Sequence, residues 1–211
     1  MNRIGLGKYK LLALVSVSLG LLGTVEATAA ENGWYAGITY GSTKVDTGIS
    51  GITGSASLDE EDTGYKLLVG KKINKDISIE GFYADFGEAS LTGNTGDTFV
   101  LDGQTYQFTT NAANVTASAT GVGLNGKYSF FITQKSSFAA RVGVLSWDID
   151  GTVSGASVST SKTSQKGTDL FYGIGYQYDL TNSVAVTADY DSYKAADDKF
   201  TVFAIGLAFN F

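Results

Sequence analysis

The chain has 211 residues, a formal net charge of −6 and 27 glycines, but no proline, cysteine or histidine. Without cysteine it has neither disulfides nor a thiolate nucleophile, and without histidine it lacks the commonest general base and transition-metal ligand. Only 17% of the residues are charged, and the negative net charge excludes the basic surface of a nucleic-acid-binding protein. About a quarter of the residues are charged in an average protein, so this composition is also poor in polar surface for a soluble domain.

Residues 1–29 are predicted to be a cleaved signal peptide. Three basic residues among the first ten precede the apolar run LLALVSVSLGLLG at positions 11–23, and the small residues ATA follow at positions 27–29. A membrane anchor is the alternative, but this run is too short to span a bilayer comfortably. Cleavage removes three positive charges and one negative charge, so the net charge of residues 30–211 is −8. We therefore expect one exported domain over residues 30–211.

After residue 30, eight runs of alternating polar and apolar residues are separated by Gly, Ser, Thr, Asn and Asp, which is the pattern of strands and turns. The predicted strands lie at about 34–45, 62–73, 77–88, 115–131, 137–150, 167–180, 184–193 and 200–211. Short turns are predicted at residues 74–76, 133–136 and 181–183, and polar loops, mostly long, near 46–61, 89–114, 151–166 and 194–199. Short turns therefore alternate with longer loops, which places the turns at one end of the sheet and the loops at the other. This arrangement is typical of an all-β, eight-stranded antiparallel up-and-down transmembrane β-barrel.

The charged residues within the cores of the predicted strands share one parity, opposite to that of the apolar residues. A lysine or arginine facing lipid at the bilayer midplane would cost about 2–4 kcal/mol, so a barrel must turn such residues inward. A soluble β-sandwich would place this parity in water, yet it is otherwise largely glycine and alanine, which suit a narrow barrel interior. The predicted interior charges are Lys66, Glu80, Lys127, Arg141 and Asp189.

Aromatic residues of the apolar parity fall into two groups at opposite ends of the strands, as expected for girdles at the two membrane interfaces. If both termini are periplasmic, the periplasmic group is Trp34, Phe130, Phe138, Tyr178, Phe209 and Phe211. The extracellular group is then Tyr40, Tyr65, Tyr83, Tyr172, Tyr190 and Phe203.

Four stretches carry a resemblance to a known family: GWYAGITYG (33–41), ISIEGFYADFG (77–87), FAARVGVLSWD (138–148) and DLFYGIGYQYDLTNSVAVTADYDSY (169–193). Their order and spacing are similar to those of the OmpA-type eight-stranded outer-membrane β-barrel family. The resemblance implies the barrel fold but no single activity, because such barrels serve in anchoring, adhesion, solute leakage, passage of apolar compounds and lipid A modification. Two-domain members carry a peptidoglycan-binding domain after the barrel, and we expect this chain to be a single-domain member without one.

The C-terminal sequence AIGLAFNF resembles the assembly signal of bacterial outer-membrane proteins, Gly-x-x-aromatic-x-aromatic. The matching residues are Gly206, Phe209 and Phe211, whereas Ala204 departs from the polar residue that often precedes the glycine. The resemblance implies recognition by the barrel-assembly machinery. A closed barrel also explains an aromatic ending, because its last strand must pair with its first.

The predicted interior charges have two interpretations. Opposite charges can pair as a plug, because an isolated buried charge is costly. Alternatively, their rearrangement can open a thin water path, since ionisable residues within a membrane often mark a pathway. The family resemblance implies Glu80, with Arg141 and Lys127, as the closest equivalent of a gate.

Three further motifs are weaker. GVGLNG at positions 121–126 matches the dinucleotide pattern GxGxxG, but the strand alternation continues through it, so its glycines are predicted to face a crowded interior. The acidic residues at positions 59–62 lack EF-hand spacing; a solvated loop tip is the simpler interpretation, and cation bridging to lipopolysaccharide the alternative. Weak alternation at positions 99–110 predicts a hairpin within the loop after the third strand.

We expect no enzyme and no cofactor or metal, because no serine or aspartate stands beside a substitute for histidine in a recognisable motif. The expected function is structural support and surface display by a monomeric, multi-pass protein of a Gram-negative outer membrane. The alternatives are a low-conductance, porin-like channel for small solutes and an adhesin acting through extracellular loops. The expected partners are outer-membrane lipids and lipopolysaccharide, the assembly machinery and an extracellular ligand, with no nucleic acid.

Overall fold

The computed structural model describes residues 33–195 and 198–211. The predicted signal peptide lies outside the described residues. Within them, no helix is long and apolar enough to cross a membrane. The strands are β1 (Trp34–Asp46), β2 (Ser57–Asp59), β3 (Glu61–Lys72), β4 (Ile77–Gly93), β5 (Thr98–Leu101), β6 (Gln104–Gln107), β7 (Ala113–Phe131), β8 (Ser136–Gly155), β9 (Val158–Asp179), β10 (Val184–Ala195) and β11 (Asp198–Asn210).

Eight of these strands form a closed antiparallel barrel, which confirms the predicted fold class. Around the wall the order is β1, β3, β4, β7, β8, β9, β10 and β11. The ring closes where β1 pairs with β11, from Tyr35 opposite Asn210 to Asp46 opposite Lys199. The chain therefore ends within the wall, where the backbone N–H of Phe211 donates to the carbonyl of Trp34 at 2.9 Å.

The two ends of the barrel differ, as the alternating spacers predicted. At the turn end, residues 73–76, 132–135 and 180–183 connect β3 to β4, β7 to β8 and β9 to β10. At the hairpin end, β4, β8 and β9 extend five or more residues beyond their predicted limits, and β7 extends two. The predicted long loop at 151–166 is wrong, because β8 and β9 remain paired from Ser136 opposite Tyr178 to Gly155 opposite Val158. Serine and threonine in this stretch suggested a loop, but an exposed hairpin accommodates them equally well.

A second, smaller sheet lies at the hairpin end. The hairpin predicted at residues 99–110 is present as β5 paired with β6, separate from the barrel sheet. Its base packs on a small apolar cluster that includes the buried residues Leu91, Phe108 and Ala113. The carboxylate of Asp97 accepts hydrogen bonds from the backbone of Ser55 at 3.1 Å and Asn94 at 2.9 Å. The loops at this end are therefore joined into one packed unit.

The apolar parity of the barrel strands faces outward, as the alternation predicts. Ile38, Val122, Leu124, Ile174 and Ile205 are all exposed at 46% or more. Such a belt of exposed apolar side chains suits a hydrocarbon surrounding. The opposite parity fills the interior with glycine, alanine, charged and aromatic residues.

Candidate functional site

The main polar feature of the barrel interior is a layer of six charged side chains, which we call the charge layer. Its members are Lys66 on β3, Glu80 on β4, Lys127 on β7, Arg141 on β8, and Asp189 and Asp191 on β10. Their side chains are at most 11% exposed, and three of them are basic and three acidic. The layer is therefore electrically balanced, as buried charge has to be.

Arg141 is the centre of one half of the charge layer. Its Nη2 lies 2.5 Å from Asp189 Oδ1, and its Nη1 lies 3.0 Å from Asp191 Oδ1. The other oxygen of Asp191 accepts a hydrogen bond from Lys66 Nζ at 2.6 Å and one from the hydroxyl of Tyr193 at 3.1 Å. Charge-assisted hydrogen bonds of this kind are about twice as strong as neutral ones. Two cations thus share the two carboxylates of β10.

Glu80 is the centre of the other half. Its Oε1 accepts a hydrogen bond from the hydroxyl of Tyr35 at 2.7 Å, and its Oε2 accepts one from Asn125 Nδ2 at 2.8 Å. Lys127 Nζ lies 3.3 Å from Oε1. The Glu80 carboxylate therefore has a polar partner on both oxygens, which is what a buried carboxylate needs.

The strand between Arg141 and its carboxylates makes room for these contacts. On β9, Gly173 lies between Arg141 and Asp191 in the sheet register, and Gly175 lies opposite Asp189. A Cβ at Gly173 would overlap the Asp191 carboxylate, and one at Gly175 would overlap both Asp189 and Arg141. The interior glycines of β9 thus permit ion pairs between β8 and β10 across the whole of β9.

An aromatic layer lies above the charge layer, toward the hairpin end. The ring centroids of Phe171 and Tyr193 are 4.8 Å apart, and those of Phe82 and Phe171 are 5.2 Å apart. Phe86 packs edge-on against Tyr193 at 4.9 Å, and Trp147 belongs to the same buried cluster. This cluster occupies the barrel interior with side chains that are less than one tenth exposed.

The cavity between the two layers is small. It has a volume of about 10 Å³ and is lined in part by Lys66, Asp191, Phe86 and Tyr193. Such a volume is room for about one water molecule. A larger solute would have to displace side chains of both layers.

All five interior charges predicted from the sequence lie in the charge layer, and the predicted gate is present in part. Glu80 pairs with Lys127, whereas Arg141 pairs with the two aspartates of β10. Sequence reasoning missed Asp191, together with Tyr35 and Tyr193. Parity could have found them, since Asp191 and Tyr193 follow Asp189 at alternate positions of one strand.

The remaining motifs are placed as follows. Gly121 faces the interior and Gly123 lies against Phe82, as predicted for GVGLNG, but a Cβ at Gly126 would meet no atom within 4 Å and this residue faces outward. In the predicted assembly signal, Phe209 lies on the outward parity of β11 and Gly206 on the inward parity, and Phe211 follows the end of the strand. In the acidic run, Glu60 accepts hydrogen bonds from Thr47, and Asp62 accepts one from the backbone of Glu88. No group of acidic residues in the described part of the chain is arranged to hold a metal ion.

The family model described as the outer membrane protein beta-barrel domain matches residues 14–211. The chain belongs to this family. The family match and the closed eight-stranded barrel together also bear out the resemblance to OmpA-type barrels. No curated protein matches the chain in sequence.

Solved structures show the same fold at low identity. Ail, the attachment invasion locus protein of Yersinia pestis, is 18% identical over 86% of this chain and 100% of its own, with a TM-score of 0.54. The Ail complex with the heparin analogue sucrose octasulfate is 16% identical over 84% of this chain and 99% of its own, with a TM-score of 0.51. Neisserial surface protein A is 13% identical over 85% of this chain and 97% of its own, with a TM-score of 0.52. At these identities the likeness shows the barrel fold alone.

Proposed function

We propose that the protein is a closed, non-enzymatic scaffold of a Gram-negative outer membrane, which it spans as a monomer, and that it holds its hairpins at the cell surface. Its membership of the outer-membrane barrel family and its belt of exposed apolar side chains support the location. The long strands of β8 and β9 and the packed β5–β6 hairpin support display, because they place ordered structure beyond the belt.

The observation that carries the closed state is the balanced charge layer beneath the aromatic layer. A water path would have to separate ion pairs such as Arg141–Asp189 and Lys66–Asp191, which are almost fully buried. Removing one partner of a buried pair typically costs about 3–5 kcal/mol, since the other charge is left without compensation. Opening would also have to separate the stacked rings of Phe171 and Tyr193. The interior is therefore suited to mechanical support of the wall and poorly suited to permeation.

Location and closure can be tested together. In cells, we expect the protein to remain in the outer-membrane fraction after a high-salt wash and to require detergent for extraction, whereas a soluble periplasmic barrel would be released without it. In liposomes containing the refolded protein, we expect small sugars to leak no faster than from protein-free liposomes. Sugar efflux that depends on Glu80, tested with Glu80→Ala, would instead establish the channel function. Asp102→Ala, in the turn between β5 and β6, is the control for a lost carboxylate.

Adhesion is the second candidate, and the packed unit at the hairpin end favours it. Tyr106 is 45% exposed and stacks on Phe99 with centroids 5.5 Å apart, so it presents a rigid aromatic surface beyond the barrel. Rigid aromatic side chains are common contacts in protein recognition. Replacing residues 98–107 by a short Gly-Ser linker should reduce attachment of bacteria to host matrix while the barrel remains folded. Shortening the β8–β9 hairpin by residues 152–162 is the matched control, and unchanged attachment in both variants would exclude adhesion through these hairpins.

Assembly is proposed to depend on the C-terminal strand. Gly206, Phe209 and Phe211 fit the pattern read by the barrel-assembly machinery, and the last residue is hydrogen-bonded to the first barrel strand. Closure of the barrel requires this strand to be delivered to β1. Truncation of the strand should therefore block assembly in cells.

A further inference from the structure

One side of the outer surface repeats a single pattern on four neighbouring strands at the hairpin end. On each strand an apolar residue is followed, at alternate positions toward that end, by a hydroxyl residue and then a lysine. The sets are Leu170, Thr168 and Lys166 on β9; Tyr190, Ser192 and Lys194 on β10; Phe203, Thr201 and Lys199 on β11; and Tyr40, Ser42 and Lys44 on β1. We call the four lysines the lysine row.

The opposite side of the wall carries acids toward the same end. These are Glu61 on β3, Asp85 and Glu88 on β4, and Asp148 on β8. Apart from Asp46 on β1, the outward charges at the hairpin end are thus sorted around the circumference, with lysines on β9, β10, β11 and β1 and carboxylates on β3, β4 and β8. Such sorting is not needed to make a surface soluble, for which mixed charges suffice.

The two ends of the lysine row are paired with acids of the adjoining strands. Lys44 Nζ lies 3.2 Å from Glu61 Oε1, and Lys166 Nζ lies 2.6 Å from Asp148 Oδ2. In the middle of the row, Lys194 and Lys199 are directly opposite each other in the β10–β11 register. Like charges in that relation are destabilising in a sheet. Over residues 33–195 and 198–211, neither of these two lysines forms a salt bridge.

A cleft adjoins the middle of the row. It has a volume of about 320 Å³ and is lined by Lys44, Lys199, Thr201, Asp46 and Glu60. Its two acids are engaged by the neighbouring loop, since Asp46 accepts a hydrogen bond from the backbone of Gly48 and Glu60 accepts two from Thr47. Lys44 is shared with Glu61, so the ammonium group of Lys199 and the hydroxyl of Thr201 remain as the donors of this cleft toward an anion.

We propose that the lysine row binds the phosphate groups of lipid headgroups in the outer leaflet, and that it orients this side of the barrel toward phosphate-bearing glycolipid. Lipid is the anion source that the geometry favours, because each lysine stands four residues beyond an exposed apolar side chain of the belt, such as Tyr40 or Phe203. Lysines beside an anionic membrane surface contribute to binding in this way. The inference rests on the proposed location, with the hairpin end outside the cell.

Native mass spectrometry of the refolded protein in detergent, titrated with bisphosphorylated lipid A, tests this proposal. We expect the triple variant Lys44→Gln, Lys194→Gln and Lys199→Gln to weaken lipid A binding by about tenfold or more. Dephosphorylated lipid A should bind wild type and triple variant equally. The matched control removes the same number of charges at the turn end, as Lys71→Gln, Lys75→Gln and Lys135→Gln, and should bind like wild type.

Each outcome has a separate meaning. Equal lipid A binding by wild type and the row variant, in protein that runs as a folded barrel on unheated gels, would overturn the lysine row while leaving the scaffold intact. Equal loss with dephosphorylated lipid A would show that phosphate is not the group recognised, which also overturns the proposal. Weaker binding by the turn-end control alone would contradict both the row and the proposed orientation. Competition by inorganic phosphate at millimolar concentration would assign the cleft to free phosphate and overturn the lipid source.

Discussion

Arg141 on β8 and Asp189 on β10 form an ion pair of 2.5 Å although a complete strand, β9, lies between them in the wall. The pair is formed in the interior over Gly175, where a Cβ would overlap both groups, and a Cβ at the neighbouring Gly173 would overlap the Asp191 carboxylate. The spacing of the strands and the absence of side chains at these two glycines thus determine which charged groups of β8 and β10 can form ion pairs. Substitutions in the strands of the wall therefore test the ion pairs of the interior, and substitutions of the ion pairs test the stability of the wall.

Gly175→Val should destabilise the barrel, because the new side chain would collide with Asp189 and Arg141. Overpacking a filled interior costs about 1–3 kcal/mol, and displacement of the ion pair would add to this. Urea unfolding of the refolded protein in detergent measures the loss. Gly126→Val is the matched control, since a Cβ there meets no atom within 4 Å on the outer surface. Equal effects of the two variants would contradict the role assigned to the interior glycines.

Arg141→Met should cost about 3–5 kcal/mol in the free energy of unfolding, because Asp189 loses its cation and Asp191 retains only Lys66. The exposed pair Lys166–Asp148 is the comparison. Lys166→Met should cost at most about 1 kcal/mol, as is typical of surface ion pairs. Both values come from the same urea titration, and an effect of Arg141→Met no larger than that of Lys166→Met would refute the balanced charge layer.

Acid should loosen the β5–β6 hairpin before it unfolds the barrel. The backbone N–H of Asn94, together with the hydroxyl and backbone N–H of Ser55, lowers the pKa of Asp97 below its ordinary value. Because the folded pKa is the lower one, this contribution to stability is full above the ordinary aspartate pKa of about 4. It is lost as the pH falls from there through the lowered pKa.

Hydrogen exchange of residues 94–108 as a function of pH measures that transition. Protection of these amides should fall as the pH is lowered below about 4, while the amides of β8 stay protected. In Asp97→Asn the protection should be reduced already at neutral pH and should not change over this range. A wild-type hairpin that keeps its protection well below this range would show that the Asp97 carboxylate does not hold it.

Phe211→Ala should lower the amount of assembled barrel in cells while changing the stability of the refolded protein little. The Phe211 side chain is partly exposed. The residue is bound to the barrel by a hydrogen bond from its backbone N–H to the carbonyl of Trp34, which alanine can also form. Phe203→Ala removes an equally outward aromatic from the other end of the same strand and should assemble normally. Similar yields for both variants would contradict a C-terminal assembly signal.

The fold could be predicted from the sequence because lipid imposes a strict rule on alternate residues. Every charged residue in the predicted strand cores had to face inward, so parity alone placed Lys66, Glu80 and Arg141 in the interior. Parity does not give the position of a side chain along the barrel axis or its partner. The pairing of Arg141 with β10 rather than Glu80 depends on strand register and on two glycines, which no local pattern reports.

The hairpin end was less predictable for a different reason. The described side chains of residues 151–166 are exposed or half-buried on both faces, so neither parity nor composition distinguishes a polar hairpin from a polar loop. The lysine row was also not recognised from the sequence. Its members Lys44, Lys166, Lys194 and Lys199 are distant in the chain, and the closure of β11 on β1 brings them to one side of the wall.

Single-channel recording of the refolded protein in a planar bilayer, compared with Glu80→Ala, tests the closed interior most directly. If the charge and aromatic layers fill the barrel, wild-type protein that is folded by its mobility on unheated gels will insert without discrete openings. Removing Glu80 will then lower stability, because Lys127 loses its ion-pair partner and the hydroxyl of Tyr35 its hydrogen-bond acceptor. Discrete wild-type openings whose size or frequency changes in Glu80→Ala would contradict the scaffold and make the charge layer a gate.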